Sequence, residues 1–448
     1  PASPRPTVPP AGRPDASPDP LDRAALKDFN GDGYDDLAQV VLSRSKDDAR
    51  MRTTLVVVYG SPSGLRPETA VRAAGRGEGN AVTALIRADL DNDGFTDLVG
   101  HRGPGGGRGE AFAMYGGPRG LSEPQVLDVP DRFTPRAAGD FDGDGSTDLL
   151  DGGLGGAGES DSPSVPVPGR LLLGPLDRSG RAARQLPLDL GQHGYTSPSG
   201  LLTGDFDGDR RSDLILTYDF DAEEDESAPE DLESVAYYRG GPDGLVRGPA
   251  LEPRLDEAMA DVDDGLRGGT VGDVDGDGLD DLVAMGESPA REGRLTVFHG
   301  ARSGLGGGAP AQVLTGRGMY WGLGTSVGDV TGDGDADLVT GRPGFRLTDV
   351  DRLFLLPHRA AGFRVSDAQT VSGDAPGLPG RPARFDFEGA ELLDVNGDRR
   401  QDAVVFSTYW NKGRGAILVL PGTPAGLDPE HAQHIRPEEV GVPLRLKG

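Results

Sequence analysis

The chain has no cysteine, so neither disulfides nor thiolate chemistry contributes to it, and this residue gives no reading of the redox compartment. Aromatic side chains make up only 6% of the 448 residues, whereas glycine numbers 72, a balance that points to many turns and short strands. No run of 18 or more apolar residues occurs, which excludes a transmembrane helix within these residues. Basic residues are few beside acidic ones, 45 against 73, for a net charge of −28. A free acidic surface of that size disfavours nucleic acid and anionic membranes, so neither is expected as a partner. Helical periodicity is absent almost throughout, and the length exceeds that of a usual single core, so several domains or a repeat array are expected.

Much of the negative charge lies in a nine-residue pattern, D-x-[DNT]-x-D-x-x-x-D, that occurs seven times. Positions one, three, five and nine are Asp28, Asn30, Asp32 and Asp36 in the first copy and Asp89, Asp91, Asp93 and Asp97 in the second. The third has Asp140, Asp142, Asp144 and Asp148, and the fourth has Asp205, Asp207, Asp209 and Asp213. The fifth has Asp273, Asp275, Asp277 and Asp281, the sixth Asp329, Thr331, Asp333 and Asp337, and the seventh Asp394, Asn396, Asp398 and Asp402. Oxygens at alternate positions of a tight loop point inward and can surround a hard cation such as Ca²⁺. Glycine at the sixth position of five copies permits the sharp turn such a loop needs. An EF-hand is excluded because position twelve is Gln39, Gly100, Asp151, Leu216, Ala284, Thr340 or Val405, never Glu. Calcium β-roll repeats recur every nine residues, whereas these copies start 51 to 68 residues apart. Seven aligned copies also weigh against Asp-Gly pairs that merely mark hairpin turns.

Each copy sits in a longer unit. A short apolar strand precedes it (Ala24 to Leu26, Val82 to Ile86, Ala137 to Ala138, Leu201 to Thr203, Thr270 to Val271, Thr325 to Val327, Glu391 to Leu393), and a second follows it, as in Asp213-Leu214-Ile215-Leu216. After a variable insert comes a third, such as Leu55 to Tyr59 or Leu295 to His299, then a turn ending Gly-Leu or Gly-Phe, then a more polar fourth, such as Gln369 to Val371. Each unit therefore reads as a four-stranded antiparallel meander. Units of this kind, repeated at such a spacing, are propeller blades, too small to stand alone and stable when packed around an axis. The expected fold is an all-β, seven-bladed β-propeller with one calcium loop per blade between strands one and two. It should span residues 22–438, after a Pro-rich disordered spacer at 1–21 and before a C-terminal tail at 439–448. The last unit keeps a fourth strand around Ala432 to Ile435, so the ring is expected to close mainly by blade packing.

These units resemble the FG-GAP (VCBS) repeat of the integrin α-subunit type of β-propeller. Unit six matches best, with Trp321-Gly322 ahead of the loop and Gly341-Arg342-Pro343 after it where the family has Gly-Ala-Pro. Other units keep the loop and lose these flanks, and unit seven has Ala403 where the family has Leu. The resemblance covers about residues 22 to 436. It implies that Ca²⁺ is held by the four side chains of each loop and by the backbone carbonyl of position seven, which is Tyr34, Phe95, Ser146, Arg211, Leu279, Asp335 or Arg400. Up to seven structural calcium ions follow. Weaker binding is expected in units four and seven, where Arg210 and Arg399 replace the turn glycine, and in unit six, where Thr331 replaces an acid.

Catalytic motifs are poorly supported. Gly324-Thr325-Ser326-Val327-Gly328 fits G-x-S-x-G but runs into an acidic loop rather than a helix. Gly103 to Gly109 lacks the lysine of a phosphate loop and reads as a hairpin. Function is expected on the face opposite the acidic loops, with His193, Tyr195, Met319-Tyr320-Trp321 and Tyr409-Trp410-Asn411-Lys412 as candidates, Trp321 being read chiefly as a packing residue. The acidic stretch Asp219 to Glu233 reads mainly as a solvated loop, with an extra cation site or a contact for a basic partner as the alternative, and Arg254 to Gly269 is a second long connection rich in acids. The expectation is a monomeric, non-enzymatic binding or adhesion module for a protein or glycan, extracellular or at the cell-envelope surface. Alternatives are a secreted lectin or a polysaccharide-active enzyme on the same scaffold. The start at Pro1 leaves room for an upstream signal or lipid anchor, and the sequence itself shows neither.

Overall fold

A computed structural model describes residues 25–44, 51–74, 81–105, 108–152, 168–190, 196–220, 235–251, 254, 268–287, 293–316, 324–342, 352–378, 390–407 and 415–442. Within them the last six acidic loops each join two antiparallel strands. The ninth-position aspartate opens the second strand in six units, Asp97–Gly105, Asp148–Asp151, Asp213–Phe220, Asp281–Glu287, Asp337–Arg342 and Asp402–Ser407, and Leu37–Arg44 starts one residue later in the first. Strands then follow in sequence order across each sheet, as in Gly268–Gly272, Asp281–Glu287, Gly293–Phe298 and Gln312–Gly316 of blade five. In blade seven the fourth strand, Gln433–Ile435, pairs with Ala416–Leu420 after a small hairpin. The architecture is the expected seven-bladed propeller of four-stranded antiparallel blades.

One expected strand is not formed. Ala25–Lys27 make a 3₁₀ turn where unit one was to open with a strand at Ala24 to Leu26, and Ala24 lies outside the described residues. The described part of blade one thus has three strands, Leu37–Arg44, Met51–Val58 and Val71–Ala74. Ala-Leu-Lys contains no β-branched residue and favours helical turns. Arg87 of blade two reaches across the gap: its guanidinium donates to Asp36 O at 3.1 Å, pairs with Glu391 of blade seven at 2.6 Å and stacks on Phe29.

No blade has a core of its own. The buried side chains fall into seven clusters, and each straddles two neighbouring blades. Strand alternation explains this division. Leu55 and Val57 face blade two, whereas Val56 and Val58 face blade seven. Both faces of the inner strands are therefore apolar, and they read in sequence as continuous hydrophobic runs. The seventh cluster joins Leu393, Val404 and Val419 to Leu37, Val56 and Leu65, so among the described residues the ring closes by blade packing without strand exchange. Val440 and Val442 are buried in the same cluster. Gln433 adds a two-sided bond, accepting from Leu65 N at 3.0 Å and donating to Leu65 O at 2.7 Å.

Candidate cation sites in a belt of acidic loops

The loops are anchored first by an apolar residue that the sequence reading passed over. Position two is Phe29, Leu90, Phe141, Phe206, Val274, Val330 or Val395, each fully buried at the seam with the next blade. Its signal was present, since all seven copies are apolar there. The carbonyl of this residue also crosses the seam, accepting from Gly117 N, Leu176 N, Gly241 N, Ala301 N and Ser61 N of the following blade in five cases.

The ninth-position carboxylate is a second anchor. In every blade its Oδ1 accepts from the backbone N–H just after the third strand, that of Gly60, Gly116, Gly174, Gly240, Gly300, His358 or Gly422, at 2.7–3.2 Å. In five blades Oδ2 accepts from the second residue of the loop at 2.9–3.0 Å. One carboxylate thus ties together the loop, the second strand and the third strand. Burial pushes Asp97 and Asp148 up to about 8 and Asp213 and Asp402 up to about 7, and it raises Asp36 well above the usual carboxylate range. A nearby cation is the physical remedy for a buried carboxylate held in that state.

Position one fixes the turn. Its Oδ2 accepts from the sixth residue's N–H in all seven loops at 2.8–3.0 Å. The sixth residue adopts positive φ even where it is arginine, at 66° for Arg210 and 67° for Arg399. Position five accepts from position seven, as in Ser146 N to Asp144 Oδ1 at 2.8 Å. Backbone N–H groups thus hold the acids, on both oxygens at positions one and nine of most loops, and the carboxylates converge. Carboxylates of Asp89, Asp91 and Asp97, of Asp140, Asp142 and Asp148, of Asp205, Asp207 and Asp209, and of Asp273, Asp275 and Asp277 each place an oxygen within 4.8 Å of one another. In loops one, six and seven position three is Asn30, Thr331 or Asn396, with a neutral oxygen.

The donor set fits a hard cation. Asp91 Oδ1 and Thr331 Oγ1, both at position three, are buried without a hydrogen-bond partner. An orphaned acceptor of this kind costs about 1–3 kcal/mol, which a bound cation would recover. Basic side chains take several of the outward oxygens. Arg178, from the turn after blade three's third strand, bonds Asp91 Oδ2 at 2.5 Å and Asp93 Oδ2 at 2.6 Å while stacking on Tyr115. Arg239 pairs with Asp207 at 2.7 Å, Arg211 with Asp209 at 2.9 Å and Arg400 with Asp398 at 2.6 Å.

The loops also touch one another. A Cβ on Gly143, Gly208, Gly332 or Gly397, at position four, would collide with Arg211, Leu279, Arg400 or Tyr34 at position seven of the next loop. Asn92, the exception at position four, instead donates to Ser146 Oγ at 3.0 Å. Position eight clasps the preceding loop: Asp394 N donates to Asp35 Oδ2 at 2.8 Å and Asp35 N to Asp394 O at 2.9 Å. Ser212 with Asp140 and Asp280 with Asp205 repeat this clasp.

Other expected sites fare differently. Ser326 of the G-x-S-x-G run lies on the strand Thr325–Gly328 and donates to Ala390 O of the next blade at 2.5 Å, a structural bond. Gly103 to Gly109 spans the tip of the hairpin formed by Asp97–Gly105 and Arg108–Met114, of which 106 and 107 are outside the described residues. Also outside are His193, Tyr195, Met319-Tyr320-Trp321, Tyr409-Trp410-Asn411-Lys412, residues 221–233 of the first acidic stretch and most of the second, and the spacer at 1–21.

Seven blades, six of them four-stranded among the described residues, each with an acidic loop leading into a strand at its ninth aspartate or one residue later, define the class as a loop-bearing β-propeller. Parts of the chain are similar to the FG-GAP repeat and to integrin α-subunits. A family model described as an FG-GAP-like repeat matches residues 258–340, which include the loops of blades five and six. Integrin alpha pat-2 of Caenorhabditis briggsae is 28% identical over 181 residues, covering 38% of this chain and 15% of that protein. Integrin alpha-4 of Xenopus laevis is 25% identical over 165 residues, covering 32% of this chain and 16% of that one. The match thus spans about one sixth of the length of these relatives. Among solved structures, a rhamnogalacturonan lyase of Bacillus licheniformis aligns over 88% of this chain and 90% of its own, at 13% identity and a TM-score of 0.29. A likeness that low bears on neither fold nor activity. No helix among the described residues is long and apolar enough to cross a membrane.

Proposed function

We propose that each loop holds a structural Ca²⁺ ion and that the braced propeller is a non-enzymatic binding module, outside the cell or at its surface, for a protein or glycan partner. The observation that carries the reading is the sevenfold repetition of one carboxylate turn, with orphaned position-three oxygens in two of its copies. The ligands would be the side chains at positions one, three, five and nine and the carbonyl at position seven. When bound, Ca²⁺ supplies positive charge among acids that otherwise repel one another. The chain's own residues do the rest: position two plugs the seam, position eight clasps the previous loop, and position nine ties the second and third strands. Bracing the loop belt on one face leaves the opposite face, with its variable connections, to bind.

Chelation tests the brace. Excess EDTA, with metal content confirmed as zero, should lower the melting temperature by several degrees, since each site at a hundredfold excess over its Kd adds about 2.7 kcal/mol. An unchanged melting curve would overturn it. A glycan array and a pull-down from envelope extracts, each run with Ca²⁺ and with EDTA, test the binding role. Turnover of a polysaccharide by the purified chain would replace that role with an enzymatic one.

A further inference from the structure

Blade five departs from the other six at one position. The residue just before the turn that follows the third strand is Tyr59, Tyr115, Leu173, Arg239, His299, Pro357 or Pro421 in blades one to seven. Only His299 brings a metal-ligating nitrogen there. Its Nδ1 is buried, lacks a hydrogen-bond partner, and lies 3.2 Å from Asp275 Oδ2 and 3.6 Å from Asp281 Oδ1. Nδ1 and one oxygen from each acid fall within 4.8 Å of one another.

The two acids are held in place independently of the imidazole. Asp281 accepts from Gly300 N at 2.7 Å and Val274 N at 2.9 Å. Asp275 Oδ1 accepts from Asp277 N at 3.2 Å, which leaves Oδ2 turned toward His299. His299 adjoins Gly300, whose backbone N–H belongs to the same tie, so the imidazole is set by the strand end rather than by a free loop.

Calcium takes oxygen ligands, whereas imidazole nitrogen suits zinc and other first-row transition ions. We infer that the loop of blade five is a divalent transition-metal site, with His299 Nδ1, Asp275 and Asp281 as ligands; His358 of blade six also sets a buried Nδ1 beside its loop, 3.7 Å from Asp335 Oδ2, but among the described residues only His299 falls together with two acids. The inference rests on the reading that these loops hold cations, and it differs in the ion selected. The other acids of the loop, Asp273 and Asp277, share a second cluster with Asp275 and can complete the coordination or hold bound water.

Zinc titration by calorimetry in excess Ca²⁺ tests the selectivity, and pulsed EPR of the Mn²⁺-loaded protein tests the nitrogen ligand. Wild type should bind one Zn²⁺ per chain that excess Ca²⁺ does not displace, and its Mn²⁺ spectrum should carry ¹⁴N modulation from one imidazole. His299→Ala should lose that modulation and lower Zn²⁺ affinity by more than about tenfold, since even groups that only support a ligand are worth 10–100-fold. His299→Gln, which keeps much of the side-chain volume, should behave like His299→Ala. Absence of Zn²⁺ binding in excess Ca²⁺, absence of ¹⁴N modulation in wild type, or unchanged Zn²⁺ affinity in both variants would overturn the inference. The wild-type measurements decide the question even if neither variant folds. Calcium binding without selective zinc binding would defeat this site and leave the calcium reading intact, and one zinc with no calcium would do the reverse.

Discussion

Substituting Asp148 separates two roles that its carboxylate combines. Asp148 is fully buried, accepts from Phe141 N at 2.9 Å and Gly174 N at 2.8 Å, and belongs to the third loop's acidic cluster. In EDTA at pH 7 burial holds it up to about 8, so the group is largely protonated and carries no charge-desolvation penalty that its removal could relieve. Asp148→Ala then strands two buried N–H groups at about 1–3 kcal/mol each, a total near 4 kcal/mol. Asp144 of the same loop is exposed, and its carboxylate accepts from Ser146 N in the turn. In EDTA Asp144→Ala should therefore cost about 0.5 kcal/mol or less. With Ca²⁺ present both variants lose the site, and each gives up a further amount near 2.7 kcal/mol at a hundredfold excess over Kd. Scanning calorimetry of wild type and both variants, with and without EDTA, reads this pattern. If Asp148→Ala and Asp144→Ala melt together in EDTA, the ninth-position carboxylate is not the tie described above and the reasoning fails.

Three further outcomes follow from the same geometry. Asp97, Asp148, Asp213 and Asp402 are held at about 7 to 8 when folded, against about 3.9 unfolded, so the metal-free protein binds more protons than the unfolded chain across that interval. Their contribution is full below about pH 4 and is lost as pH rises through 7 to 8; the melting temperature in EDTA should fall between pH 5 and pH 8, and a rise would contradict it. Arg178→Ala removes a positive charge from beside Asp91 and Asp93 and should raise calcium affinity in loop two by up to about tenfold at low salt, measured by calcium titration with Asp89→Ala to assign the site. Arg399→Gly relieves a side chain held at φ 67° and should stabilise the fold by about 1 kcal/mol in chemical denaturation, whereas a loss would show that the arginine side chain contributes more than its backbone costs.

Blade number, strand order and loop position were legible because each depends on local sequence repeated seven times. The acids at one, three, five and nine announce themselves by spacing, and Gly33 or Gly145 by the turn they permit. The apolar residues at position two were equally regular, yet their role depends on a neighbouring blade some sixty residues away, so nothing local marks Phe29 or Phe206 as a seam residue. Arg178 and His299 were hidden for the same reason, since each approaches its acids from a turn or strand end distant in sequence. Ala25–Lys27 defeated the strand reading through brevity: three residues cannot show a period. The buried state of the ninth aspartate was likewise invisible, because burial is set by both adjoining strands and by the seam beyond them.

The seam between blades seven and one is the single junction of the ring that no covalent chain bridges. Lys27, ahead of blade one, donates to Leu392 O of blade seven at 2.9 Å, and Val442, after blade seven, is buried in the seam's own cluster. Tension applied through the two ends would load this junction before any other, in the direction that draws blade one away from blade seven. Its resistance lies in the Leu393–Leu37 cluster, the Asp35–Asp394 clasp and the Gln433–Leu65 bonds acting in parallel. An array that is nearly symmetric at rest thus has one designated point of mechanical failure.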